Sequence, residues 1–260
     1  MPFADIDDVQ LYFQAEGSRA KPALVLSNSL GTDLSMWDRQ AAALAAHFFV
    51  VRYDTRGHGR SSLGTAPVTL DRLGHDVVGL LDHLDLARAH FCGISMGGLT
   101  GQWLGIHAAG RIARLALANT AARIGTAEGW LARAALVREQ GMGGVADGSA
   151  ARWFTPGFLA REPAEVDRLV RRLREQPPAG YAACCEALAH ADLRDDVSTI
   201  SVPLLLIAGR HDPVTTVADA QWLAVQVKDA RMEELDASHL SNIERGEDFT
   251  ARLRSFFTAC

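Results

Sequence analysis

Nowhere in these 260 residues does an apolar run reach the roughly 18 positions a membrane-crossing helix needs, so no membrane partner is expected. The start of the chain has no basic stretch followed by an apolar one, and it reads as lacking a secretory leader. Cysteine is scarce: Cys92, Cys184, Cys185 and Cys260 show no metal-ligand spacing, and the adjacent pair suits a disulfide poorly. These absences predict a reducing, cytoplasmic setting and no metal. A surplus of positive charge is missing too; the net charge of −5 argues against nucleic acid or an anionic membrane as main partner. Repeats and low-complexity tracts are absent. What is present is an ordinary globular composition, 48% hydrophobic and 22% charged. A chain of this length buries about three-quarters of its unfolded surface, so stability needs no disulfide or metal.

Hydrophobic patterning predicts strands over residues 9–15, 23–27, 48–53, 89–92 and 115–118, with helices over 36–46, 70–84 and 96–109 between them. Continuous apolar strands separated by helices indicate an α/β fold with a mostly parallel central sheet covered on both faces. In the 96–109 helix, Gly97, Gly101 and Gly105 recur every fourth residue, although each costs about 1 kcal/mol relative to alanine. Such a stripe predicts unusually close packing against the sheet. After Asn119 the alternation stops. Residues 121–190 hold nine arginines, no lysine and eight acidic residues in helix-prone sequence, and strand–helix alternation returns at Pro203. We read residues 1–120 and 191–260 as two parts of one core and 121–190 as a helical cap inserted between them.

Chemistry concentrates at Gly93-Ile94-Ser95-Met96-Gly97. A serine flanked by glycines two positions away, where a strand turns into a helix, is the nucleophile-elbow pattern. The serine must adopt a strained backbone that lifts its hydroxyl clear, and a side chain at either flank would crowd the turn. The competing reading is a serine that merely caps the following helix. Asp212 follows the apolar run 204–208, and His239 lies in a loop before the closing helix. Asp212 also suits a helix N-cap, because Pro213 follows it. His239 also suits a solvated loop position. In chain order, however, Ser95, Asp212 and His239 match a nucleophile, an acid and a base that meet in space. Two backbone N–H groups should then face the developing oxyanion, one from Met96 and one from Leu30 in the loop after the 23–27 strand. An ordinary strand–helix turn is the alternative for Leu30. The polar loop 54–61 reads as turn chemistry and lacks the Lys-Ser/Thr ending of a phosphate-binding loop.

These residues resemble the α/β-hydrolase superfamily over essentially the whole chain. The runs Ser27-Asn28-Ser29-Leu30-Gly31-Thr32, Asp54-Thr55-Arg56-Gly57-His58-Gly59-Arg60-Ser61 and Gly93-Ile94-Ser95-Met96-Gly97-Gly98 carry the likeness, with Ala118-Asn119-Thr120-Ala121 and Trp153-Phe154-Thr155. Together they are similar to the 3-oxoadipate enol-lactonases of bacterial aromatic catabolism. The resemblance implies a cofactor-free serine hydrolase with Ser95, Asp212 and His239 as triad and the Leu30 and Met96 amides as oxyanion hole. It also implies a small lactone substrate bearing a carboxylate. Carboxylesterases, perhydrolases and carbon–carbon hydrolases of ring-cleavage products share the triad, whereas Ser95 excludes an aspartate-nucleophile dehalogenase or epoxide hydrolase. A non-catalytic ligand sensor would have no need of the acid–base relay.

A substrate carboxylate calls for a cation near the pocket. On a helix over residues 130–139, Trp130 and Arg133 share a face, making Arg133 a candidate carboxylate partner and Trp130 an apolar wall. A surface arginine lying along an amphipathic helix has the same pattern.

Overall fold

The computed structural model describes residues 2–259, so the reading of Cys260 lies outside the described residues. Its centre is an eight-stranded sheet in the order β1-β2-β4-β3-β5-β6-β7-β8. The strands are β1 (Phe3–Ile6), β2 (Val9–Glu16), β3 (Ala23–Ser27), β4 (Phe49–Tyr53), β5 (Ala89–Ile94), β6 (Ile112–Ala118), β7 (Leu204–Gly209) and β8 (Arg231–Leu235). β2 pairs antiparallel with β1 and β4, and every other neighbour is parallel. Every residue of β3, β4, β5 and β7 is buried, which explains their largely apolar sequences, with Arg52 and His90 as the charged or polar exceptions in β4 and β5.

Most boundaries shift by a few residues from the sequence reading, and two differences bear on the architecture around the site. β1 was not anticipated, because four residues with two outward positions make too short an alternation to register; Ala4 and Ile6 nevertheless bury against the core. β5 runs on through Gly93 and Ile94, so Ser95 follows the strand directly. The glycine there reads as a turn but is a strand residue whose missing Cβ leaves room for Gly97 O, which would lie 2.0 Å away.

The core helices are α1 (Asp38–Leu44), α2 (Leu70–His83) and α3 (Met96–His107). The residues before α1 form a 3-10 turn, Leu34–Trp37, because the Asp33 side chain accepts from Ser35 N–H at 2.9 Å. α3 packs on α2 and on β5 and β6, and its glycine stripe faces inward. A methyl group at Gly97 would meet Ser27 O at 2.6 Å, and one at Gly101 would meet the Leu117 side chain at 2.6 Å.

Between β6 and β7 lie six helices and no strand: α4 (Ala127–Gln140), α5 (Gly143–Asp147), α6 (Ser149–Trp153), α7 (Pro156–Arg161), α8 (Pro163–Arg174) and α9 (Pro178–His190). α4 and α9 pack on each other. α9 meets the sheet side backbone to backbone; a methyl group on Gly180 would lie 1.9 Å from Gly57 O. After β7 come α10 (Val217–Gln226), α11 (Ser241–Glu244) and α12 (Gly246–Thr258). No helix is long and apolar enough to cross a membrane among the described residues.

Candidate active site

All the residues singled out from the sequence lie just past the ends of strands or on the helical segment above them. Ser95 occupies the corner between β5 and α3 with φ 57° and ψ −115°, a conformation that a side chain adopts only under constraint. The constraint is visible: Ser95 N–H donates to Ala118 O at 3.1 Å, and Thr120 Oγ donates to Ser95 O at 2.8 Å. The Ser95 side chain makes no cap hydrogen bond to α3, so the helix-cap reading does not hold.

Asp212 lies in the loop after β7. Pro213 does not open a helix; α10 begins at Val217, capped by Thr216 through a capping box with Asp219. The Asp212 carboxylate is buried instead within a ring of donors. Its Oδ1 accepts from Val214 N–H at 2.8 Å and Thr215 N–H at 3.1 Å. Its Oδ2 accepts from Thr215 Oγ at 2.8 Å, Asn119 Nδ2 at 3.0 Å and His239 Nδ1 at 2.8 Å. Burial pushes the carboxyl pKa up, but the facing His239 and the hydrogen bonds from His239, Asn119 and Val214 outweigh it and hold it below the ordinary value. An ionised Asp212 can only accept, so His239 carries its proton on Nδ1 and presents Nε2 as a base. His239 is buried at 3% exposure, which removes the solvated-loop reading.

Ser95 and His239 line one cavity of about 310 Å³ with Leu30, Trp130 and Arg133. Asp212 and His239 are hydrogen-bonded, whereas no hydrogen bond joins Ser95 to His239 among the described residues. The two proposed oxyanion amides are free: neither Leu30 N–H nor Met96 N–H donates within the protein among the described residues. Gly97 N–H donates to Asn28 O at 3.0 Å, tying the serine corner to the loop that carries Leu30.

The loop 54–61 does more than turn the chain. His58 is fully buried and its Nε2 accepts from Gly31 N–H at 3.1 Å, bracing the residue after Leu30. Burial pushes its pKa down to about 4, so the ring is neutral and able to accept. Asp54 Oδ1 accepts from Leu34 N–H at 2.8 Å, and burial lifts its carboxyl to about 6.

Arg133 and Trp130 face the cavity together, with the guanidinium 4.9 Å from the indole ring. Sequence reasoning missed Arg152, Trp153 and Tyr181, which line the same cavity. Arg152 sits on the short helix α6, too brief to show a periodicity, so nothing in the sequence aimed it inward. Its Nη2 donates to Val145 O at 3.0 Å. Burial and the nearby Arg133 both depress its pKa, and no carboxylate pairs with it among the described residues. Elsewhere on these helices Arg174 pairs with Asp147 at 2.6 Å, and Arg138 pairs with Glu186. Burial raises the Tyr181 hydroxyl pKa to about 12, against the pull of the nearby Arg133.

Comparison with known proteins gives a consistent result. Residues 22–246 match the alpha/beta hydrolase fold family. Among characterised sequences, 3-oxoadipate enol-lactonase 2 of Acinetobacter baylyi is 53% identical over 242 residues, 93% of this chain and 91% of that protein. 3-Oxoadipate enol-lactonase 1 of the same organism is 46% identical, covering 92% of this chain and 90% of that protein. The crystal structure of the enol-lactonase from Burkholderia xenovorans LB400 superposes with a TM-score of 0.97 at 48% identity, covering 99% of this chain and 100% of that one.

Proposed function

This chain belongs to the α/β-hydrolase family, within the group that holds the 3-oxoadipate enol-lactonases, and from that premise we propose that it opens the ring of 3-oxoadipate enol-lactone. One observation carries the reading. A single cavity brings together a strained serine, a buried histidine held by a carboxylate, and two arginines with no acid partner among the described residues. The serine and histidine suit ester cleavage, and the arginines suit a substrate that carries a carboxylate of its own.

In this reading His239 Nε2 takes the Ser95 proton as Oγ bonds to the lactone carbonyl carbon, the contact between them closing when substrate binds. The carbonyl oxygen becomes an oxyanion facing the Leu30 and Met96 N–H groups. Collapse breaks the ring C–O bond; the departing enolate oxygen takes the proton from His239 and remains tethered to the acyl-serine. A water then gives its proton to His239 and its oxygen to the acyl carbon, and Ser95 Oγ regains the proton on release. The free enol relaxes to the ketone, which makes ring opening hard to reverse.

Arg133 and Arg152 hold the side-arm carboxylate and Trp130 provides an apolar wall, so the lactone lies with its carbonyl towards Ser95. Residues 121–190 serve as the cap that carries these specificity groups. The reading calls for no cofactor and no nucleic-acid partner, the latter in keeping with the net charge of −5. It places the protein in the cytoplasm, where the buried free thiols of Cys92, Cys184 and Cys185 would stay reduced.

The test compares loss of enol-lactone ultraviolet absorbance with hydrolysis of a neutral aryl acetate. A kcat/KM preference for the lactone of roughly 100-fold or more is expected. Preference for the acetate would replace the reading with a general esterase.

A further inference from the structure

Glu244 closes α11, five residues after His239, and is buried at 8% exposure. A buried carboxylate normally requires a cation, yet Glu244 makes no ion pair among the described residues. It accepts hydrogen bonds from two separate segments instead. Oε2 accepts from Ser238 N–H at 2.8 Å, the peptide immediately before His239. Oε1 accepts from Thr155 Oγ and, at 3.3 Å, from Thr155 N–H. Thr155 caps α7 and ends the stretch that carries Arg152 and Trp153 into the cavity. Two more bonds run alongside: Leu240 N–H donates to Trp153 O at 3.1 Å, and Ser238 Oγ donates to Arg152 O at 3.2 Å.

From this bracing we propose that Glu244 is a positioning residue that fastens the Arg152–Trp153 wall of the cavity to the loop bearing His239. The inference rests on the lactone reading for what Arg152 holds. It does not rest on that reading for what His239 does, since any ester tests the base. One carboxylate therefore sets both where the substrate's charged arm is held and where its proton goes. Its burial cost is offset by charge-assisted bonds to both segments. The two halves of the brace are separable. Removing the Thr155 hydroxyl loosens the wall alone, whereas changing Glu244 loosens wall and base together.

Steady-state kinetics of Thr155→Val, Thr155→Ser, Glu244→Gln and the Thr155→Val/Glu244→Gln double variant test this, with enol-lactone and neutral aryl acetate as substrates and thermal melting to verify folding. Thr155→Val should raise KM for the lactone about fivefold, the worth of one hydrogen bond, and leave kcat on the acetate within about twofold. Thr155→Ser should restore the wild-type KM. Glu244→Gln offers one acceptor oxygen where two were used, so kcat should fall roughly tenfold or more on both substrates. The double variant should have a lactone KM no higher than Glu244→Gln alone. A folded Glu244→Gln with wild-type kcat on the acetate, or additive KM effects in the double variant, would overturn the proposal. If Glu244→Gln does not fold, a Thr155→Val whose lactone KM matches wild type overturns it. Wild-type protein that cleaves the acetate but not the lactone would refute the substrate reading, while kcat of Glu244→Gln on the acetate still decides the brace.

Discussion

Asn119 Nδ2 donates to Asp212 Oδ2 at 3.0 Å and to Ser238 O at 3.1 Å, so one amide joins the Asp212 side chain to the peptide ahead of His239. Its Oδ1 in turn accepts from Ser241 Oγ, which fixes the amide's orientation. Asn119 pays for this with a left-handed φ of 44° at the end of β6. Replacing Asn119 with alanine should lower kcat about ten- to hundredfold by freeing Asp212 and His239 to tilt. Stability should fall by roughly 1–3 kcal/mol, the cost of buried groups left without partners. Asn119→Asp should be worse than alanine, because it sets a second carboxylate against Asp212 and Ser238 O. Chemical denaturation and steady-state kinetics on the three proteins check the ranking.

Gly97→Ala tests the join between the serine corner and the Leu30 loop. The added methyl group would lie 2.6 Å from Ser27 O and 2.8 Å from Asn28 O, with no flexible side chain to give way. The loop must retreat, carrying Leu30 N–H with it. A kcat loss of about 100-fold is expected, the usual effect of removing one oxyanion donor, with KM changing much less. Unchanged kcat in a folded variant would rule out Leu30 as a donor.

Ser95→Ala should remove nearly all turnover, by roughly 10⁴-fold or more, while the melting temperature stays level, since the Ser95 hydroxyl makes no hydrogen bond among the described residues and alanine keeps the same Cβ. Residual activity close to wild type would place the nucleophile elsewhere.

Arg133→Ala and Arg152→Ala should each raise KM for the enol-lactone about tenfold or more, leaving kcat and KM for the aryl acetate within a factor of about three. Arg152 should show the larger effect, because its charge is partly buried with Val145 O as its hydrogen-bond partner, whereas Arg133 already lies over the Trp130 ring. Equal effects on both substrates would assign the arginines to the framework.

The loop around Asp54 and His58 makes a prediction about pH. Burial raises Asp54 to about 6, so the folded protein holds its proton where the unfolded chain has released it; that contribution is present at low pH and is lost as pH rises through about 6. His58 works in the opposite sense. With a folded pKa of about 4, its contribution is present above the unfolded value near 6.5 and is lost as pH falls towards 4. Asp54→Asn removes only the first. Relative to wild type, the variant should therefore gain stability between pH 4 and 7, by about 2–3 kcal/mol, as read from urea melts across that range. A constant offset between the two proteins would contradict the raised carboxyl.

Much of this architecture could be read from residue patterns, and the failures have physical causes. Long, fully buried strands such as β3 and β7 announce themselves through unbroken apolar runs, and α3 through its glycine stripe. The paired geometry of Asp212 and His239 followed from chain order and strand ends. Arg152 and Glu244 were invisible because each lies on a helix too short for a period, and their partners Val145, Thr155 and Ser238 are mostly backbone groups. His58 was read as turn chemistry because nothing in its neighbours records that the ring reaches Gly31. Residues whose task is to contact a distant main chain leave no local signature.

Gly180 and Gly57 meet with no side chain between them, so at this contact the distance between α9 and the loop after β4 is set by peptide atoms. Enlarging or shrinking side chains at that junction cannot tune the height of the chamber. Room for bulkier or smaller molecules must come from the lateral walls, where Trp130, Val145 and Trp153 stand. Efforts to redirect selectivity therefore have a natural address there, and any bulk introduced at the glycine contact would lift the roof and spoil the chamber for every substrate alike.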